Sequence, residues 1–282
     1  MKTAINAWSV ANGTVFESLF PHLSAAGFDG VELNLDRDNA SGHSLTFSTS
    51  GEELRRIRAL SEQYNLPVVS VSTSLYGASM GSDVPEEREF AARVLRRQLE
   101  LAAALGARGI LAVPGGISES VSLKAARENC LNTLEALRGD MDASGLFVGL
   151  ENVWNGFFMS PFDVCGFLDE LGCASVGAYF DIGNVCAFSN PAHWIEVLGE
   201  RIGMTHIKGY RRNGGLDAGG VWTSIADAGI DWPRVKAALD TAGFDGYLTA
   251  EVGKDDPEQP YTDFYREVHE QIDTILNAEG KQ

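Results

Sequence analysis

Four ionisable residues close short apolar runs: Glu151 after LFVGL, Asp181 after VGAYF, His206 after MT and Glu251 after GYLTA. If those runs are strands lying side by side, their ends meet. Three carboxylates in one place repel one another unless a cation neutralises them. Three carboxylates with one imidazole suit a hard or borderline divalent ion, Mn²⁺ first, with Mg²⁺ and Co²⁺ of the same kind and Zn²⁺ as the softer alternative. Any one of the four is as readily a polar residue meeting solvent where its strand ends. The argument rests on four of them ending successive strands. His22, His43, His193 and His269 lie in helical patterns or a polar loop and take no role.

Such ends need a scaffold that gathers them. Eight runs read as strands: 3–8, 30–35, 67–72, 109–113, 146–151, 176–182, 204–208 and 246–252. Several are unbroken apolar stretches (VVSV, GILAV, LFVGL), as parallel strands buried on both faces should be. Helical patterns lie between them at 52–64, 86–105, 122–137, 161–171, 191–198, 233–242 and 261–276. Pro161, Pro191 and Pro233 suit a first helical turn, where a missing N–H costs nothing. The junction Ala-Gly-Phe-Asp-Gly occurs at 26–30 and again at 242–246, with a looser copy, Leu-Gly-Ala-Arg-Gly, at 105–109. Each has a glycine suited to ending a helix just before a strand. Strand–helix units in series over this length predict an α/β fold, a (β/α)₈ TIM barrel, as one domain across 1–282. An open doubly wound sheet is the competing architecture, but no G-x-G-x-x-G follows the first strand.

A barrel carries its site at the C-terminal ends of its strands. Those ends also hold Asn6 and Trp8, Glu32 and Asn34, Gly115 and Gly116, Asn152 and Trp154, Asn184, and Lys208. The Gly115-Gly116 pair is a weak signal for anion binding by backbone N–H groups. The Gly-rich stretch 213–229, with Trp222 inside, reads as a mobile loop over the mouth that can serve as a lid.

The chain has 282 residues, 22 Lys plus Arg and 39 Asp plus Glu, a formal net charge of −17. That balance argues against nucleic-acid partners and anionic membrane surfaces. It leaves a small anionic substrate open, since Lys208 and Arg212 could oppose the global charge locally, while Arg211 reads as part of a solvated loop. No stretch is long and apolar enough to span a bilayer, and the first residues read as mature sequence. Cys130, Cys165, Cys173 and Cys186 form no metal or redox spacing and read as buried free thiols, which points to the cytoplasm. Whether the chain forms a homo-oligomer is left open.

Glu151 in GLENVWN, Asp181 in YFDIGNV, His206 in THIKGY and Glu251 in YLTAEV resemble the four metal ligands of the xylose-isomerase-like TIM-barrel sugar (phosphate) isomerase/epimerase superfamily. The resemblance spans nearly the whole chain. FDIGN, HIK and GIDWPRVKAAL are most similar to the L-ribulose-5-phosphate and L-xylulose-5-phosphate 3-epimerase branch. It implies a metal-dependent 3-epimerase or isomerase acting on a sugar or sugar phosphate. The metal would be held by all four residues, with Glu151 and Glu251 also the catalytic acid/base pair. By the same resemblance Arg212 binds substrate, and Trp8, Glu32, Trp154, Asn184 and Lys208 line the pocket. The chain departs from the family at Asn184, where many members have His, and at Gly209, where many have Asp.

The implied chemistry takes a proton from carbon beside a carbonyl and passes through an enediolate that the metal stabilises. Return of the proton to the opposite face inverts the carbon, and return to the carbonyl carbon isomerises the sugar. Trp8 and Trp154 could pack on a sugar's apolar face. A keto-sugar or keto-inositol lyase or dehydratase would begin with the same proton abstraction. A DNA-repair endonuclease of the superfamily would need a His-rich site on a basic surface, which five histidines and the −17 charge oppose. A catalytically dead binding protein would not need all four ligands.

Overall fold

The repeated junction folds as its residues require. Gly27, Gly106 and Gly243 take left-handed φ values of +105°, +74° and +74°, each just past a helix and just before a strand. The computed structural model describes residues 1–278. Its strands are β1 (Lys2–Asn6), β2 (Gly30–Asn34), β3 (Val68–Ser72), β4 (Gly109–Ala112), β5 (Phe147–Glu151), β6 (Val176–Asp181), β7 (Ile202–Ile207), β8 (Gly209–Arg212), β9 (Gly220–Thr223) and β10 (Tyr247–Ala250). Eight of them close into a parallel barrel in the order β1-β10-β7-β6-β5-β4-β3-β2, and β8 pairs antiparallel with β9 as a separate hairpin. The protein is a TIM barrel, and its eight barrel strands lie within two residues of the ends read from the sequence.

The helices are α1 (Phe16–Ala26), α2 (Gly51–Gln63), α3 (Pro85–Leu105), α4 (Leu123–Ala136), α5 (Arg138–Ser144), α6 (Pro161–Leu171), α7 (Ile182–Cys186), α8 (Pro191–Leu198), α9 (Trp232–Thr241) and α10 (Tyr261–Leu276). Their starts are written locally. Ser50, Ser122, Ser160, Asn190 and Asp231 each accept a backbone N–H at a helix N-terminus, and Ser160 with Asp163 forms a reciprocal capping box. The helices bury apolar faces on the barrel wall in one continuous core.

Three helices and the hairpin are absent from the sequence reading. α1 carries Pro21 in its interior and has no side-chain cap at Val15, so its pattern is broken. α5 and α7 are only seven and five residues long. The segment read as a loop over 213–229 begins on the turn of a hairpin and contains all of β9. Its two strands are separated by residues 213–219, longer than the usual hairpin turn, which hides the pairing.

At the barrel's N-terminal end, Phe147 occupies space that Gly177 and Gly203 leave free. A Cβ on Gly177 would stand 2.7 Å from both the Phe147 ring and the Arg201 carbonyl oxygen.

Candidate metal centre

The register of the barrel gathers the four ionisable residues at its C-terminal end. Asp181 on β6 lies opposite His206 on β7, His206 lies opposite Thr249 on β10, and the Glu251 N–H donates to the Ile207 carbonyl at 3.1 Å. One potential donor atom from each of Glu151, Asp181, His206 and Glu251 lies within 4.8 Å of the others. His206 Nδ1 is 3.2 Å from Glu151 Oε1, 3.4 Å from Glu251 Oε2 and 4.0 Å from Asp181 Oδ2. Glu151, Asp181 and His206 are buried, and Glu251 faces the mouth.

His206, Asp181 and Glu251 are each held by a partner outside the cluster. His206 Nε2 lies 2.6 Å from Glu32 Oε1. An ionised carboxylate can only accept, so Nε2 carries a hydrogen, and Nδ1 is the nitrogen turned toward the three other carboxylates, where its lone pair becomes available once the ring is neutral. Glu32 also accepts from Asn6 Nδ2 at 2.5 Å, from the Tyr179 hydroxyl at 2.6 Å and from the Ser70 hydroxyl. It is wholly buried inside the barrel, tied to β1, β3, β6 and β7. The sequence reading of Glu32 as a pocket residue is therefore corrected: it lies beneath His206, where its carboxylate orients the imidazole.

Asp181 caps α7, its Oδ1 accepting the Asn184 N–H at 2.8 Å. Its Oδ2 is buried without a hydrogen-bond partner, although Lys208 Nζ stands 2.8 Å away as an ion pair lacking hydrogen-bond angles. Asn152 braces Asp181 on both sides, donating to its carbonyl and accepting its N–H, each at 2.9 Å. Asn184 donates its amide to the Asn152 carbonyl at 3.0 Å, so it serves the backbone between β5 and α7.

The electrostatics follow from crowding buried charge. Burial pushes the Glu151 carboxyl up to about 7; Asp181 and Glu251 add to the push and the His206 contact opposes it. Burial works against charge on His206, yet Glu32, Glu151 and Glu251 outweigh it and raise its pKa well above the usual range. Lys208 is likewise raised, burial being overcome by Asp181, Glu251 and Glu151. Burial of Glu32 pulls its pKa upward, but His206, Ser70 and Tyr179 win and hold it low. The buried Asp181 Oδ2 without a hydrogen-bonded partner, an imidazole whose Nδ1 faces the cluster and two further carboxylates fit a divalent cation, which would take the place of the Nδ1 proton.

Beyond the cluster, Trp8, Lys208, Trp222, Glu251, Lys254 and Asp255 help line a cavity of about 460 Å³. Trp154 is further out. Its indole N–H donates to the Asn184 carbonyl at 2.8 Å, and its ring stacks on Trp222 with centroids 5.0 Å apart. Tyr210 on β8 meets both rings edge-on. The hairpin is thus a wall of the mouth rather than a structureless loop. Arg212 sits on β8 opposite Gly220, is exposed and does not line the cavity, nor does Arg211. Gly115 and Gly116 serve packing: a Cβ on Gly115 would stand 2.7 Å from the Asn155 amide, and one on Gly116 would overlap the Ala78 carbonyl.

The sequence reading missed Tyr179 as a partner of Glu32, Asn152 as the brace of Asp181, and Tyr210 in the wall. Tyr179 had a signal, since residues two apart on a strand share a face and Asp181 follows at that spacing. His43, given no role, is buried with its ring nitrogens against the Ala7 and Thr14 carbonyls, tying down the segment that carries Trp8.

A family model described as xylose isomerase-like TIM barrel matches residues 20–270. The uncharacterized protein MJ1311 of Methanocaldococcus jannaschii is 26% identical over 214 residues, 73% of this chain and 71% of that protein. Among solved structures, a D-tagatose 3-epimerase-like protein superposes with a TM-score of 0.77 at 18% identity, covering 98% of each chain. The 3-keto-D-glucoside 4-epimerase YcjR of E. coli superposes with a TM-score of 0.76 at 18% identity, covering 99% of this chain and 100% of that one. At such identities these superpositions establish the fold.

Proposed function

Because the chain belongs to the xylose isomerase-like TIM barrel family, we propose that it is a metal-dependent epimerase or isomerase of a neutral sugar. The observation that carries this reading is the four-residue donor set, with the His206 ring oriented by Glu32, opening into an aromatic-walled cavity. The names of the two superposing proteins, both epimerases or epimerase-like, support it.

A divalent ion held by Glu151, Asp181, His206 and Glu251 would polarise the sugar's carbonyl and offset charge growing on its oxygens. The remaining work falls to side chains. Glu151, buried at the floor of the site beside His206, is placed to take a proton from the carbon beside the carbonyl. Glu251, at the mouth and lining the cavity, takes up a proton from solvent and passes it to the other face of the enediolate, which inverts the centre, and Glu151 returns its proton to solvent. Delivery to the carbonyl carbon instead yields the isomer. Trp8 and Trp222 present exposed indole surface to the sugar's C–H face.

The preference for a neutral substrate comes from the cations. Lys208 is engaged by Asp181 and Glu251. Lys254 donates to the Pro257 and Gln259 carbonyls at 2.8 and 2.6 Å and lies over the Tyr261 ring. Glu251 and Asp255 add negative charge to the same cavity, and Arg211 and Arg212 stand outside it. No lining cation is left uncommitted for a phosphate among the described residues. This departs from the sugar-phosphate branch suggested by the sequence.

The test is a panel of free ketoses, 3-keto-glycosides and ketose phosphates, incubated with Mn²⁺ in D₂O and followed by NMR. The expected result is deuterium at one carbon of a neutral sugar, with a new epimer or isomer of the same mass. Turnover of phosphates alone would overturn the neutral-substrate reading. Loss of water would make the protein a lyase, and no exchange with any sugar would overturn the enzyme reading.

A further inference from the structure

Lys208 is placed with more care than a general pocket residue needs. It lies two residues past His206 and is 14% exposed, with Nζ 2.8 Å from Asp181 Oδ2 and 2.5 Å from Glu251 Oε2. These are the same two oxygens that face His206 Nδ1. The stem crosses Gly183 on α7, where any Cβ would overlap the Lys208 Cγ and crowd its carbonyl. The ammonium also lies 5.5 Å from the Trp222 ring centroid on the hairpin. A backbone gap, two carboxylates and an indole therefore converge on one ammonium.

We propose that Lys208 is an internal counter-cation that competes with the divalent ion for Asp181 and Glu251 and so lowers the affinity of the site for metal. Without metal, its single positive charge partly compensates carboxylates that would otherwise repel one another inside the barrel. A divalent ion brings twice the charge to the same oxygens, and two cations cannot crowd onto them together. The ammonium then yields both oxygens and moves onto the Trp222 ring that it already approaches. The inference rests on the metal reading of the site but not on the proposed reaction.

The sign of the effect separates this role from others. If Lys208 only supported the ligands by packing, neutralising it would weaken metal binding. A competing cation predicts the opposite. Mn²⁺ uptake is measured by the EPR signal of the free ion for wild type, Lys208→Met, Lys208→Gln and Lys208→Arg. Both neutral variants should bind Mn²⁺ roughly tenfold tighter or more, and should melt lower than wild type without metal. Lys208→Arg, which keeps the charge, should stay near wild type. As a check that needs no variant, acetic anhydride labelling of Lys208 in the intact chain is followed by mass spectrometry, and adding Mn²⁺ should raise it severalfold. Equal or weaker Mn²⁺ binding by folded neutral variants, or labelling that Mn²⁺ leaves unchanged or slows, overturns the proposal. If wild type takes up no Mn²⁺, the metal site and this inference fall together; if wild type binds and the variants do not bind tighter, only the inference falls.

Discussion

Glu32 never reaches the cavity, yet it decides which imidazole nitrogen faces the carboxylates. Glu32→Gln keeps the shape but loses the charge and one acceptor oxygen. Mn²⁺ affinity measured by calorimetry should fall about 10–100-fold while the barrel stays folded; unchanged affinity would mean that the tautomer is set elsewhere. Asp181→Ala should abolish tight uptake, because it removes both the ligand oxygen and the cap of α7. Glu151→Gln and Glu251→Gln should each lose at least ~10²-fold in turnover of the true substrate, while metal affinity drops less than in Asp181→Ala. Near-normal rates in both would remove the two-glutamate mechanism. The four gathered residues were legible because each ends its own strand and a barrel brings strand ends together. The function of Glu32 was not, because it depends on how far down the barrel the residue sits, and its partners come from four other strands. Asn184 shows the same limit: its position past Asp181 was readable, but its bond to the Asn152 carbonyl depends on the neighbouring strand.

At the level of elements, strands and capped helices were readable because their signals are local: unbroken apolar runs, Ser or Asn caps, Pro in the first turn and Gly at the exit. The hairpin was hidden because its partners are joined by residues 213–219 and its stability comes from Tyr210, Trp222 and Trp154 packed together. Trp222→Ala should raise KM more than it lowers kcat, since it removes cavity wall and not a proton carrier. Steady-state kinetics on the identified sugar checks this, and a loss confined to kcat would contradict it. On β6, Gly177→Ala forces a methyl against both the Phe147 ring and the Arg201 carbonyl. A cost of about 1–3 kcal/mol is expected, read as a melting temperature several degrees lower.

For the molecule as a whole, the barrel and its closure followed from counting strand–helix units, whereas the charge of the cavity did not follow from the net −17. Global charge is a sum over the surface; the cavity depends on which cations are already engaged. Metal binding should be visible globally. At a concentration near 100 times its dissociation constant, Mn²⁺ adds about 2.7 kcal/mol to stability. Scanning fluorimetry should show a melting temperature several degrees higher, reversed by EDTA, and no shift would argue against a folded-state site. The hairpin has a consequence of a different order. Its strands leave and rejoin the chain side by side, with Gly209 opposite Thr223, so it is a side branch that shares no strand pairing with the barrel. A lineage can lengthen, trim or exchange such a branch without re-registering the eight barrel strands. Under the proposed function, exchanging this branch would change which sugar is admitted while the residues of the donor set stay where they are.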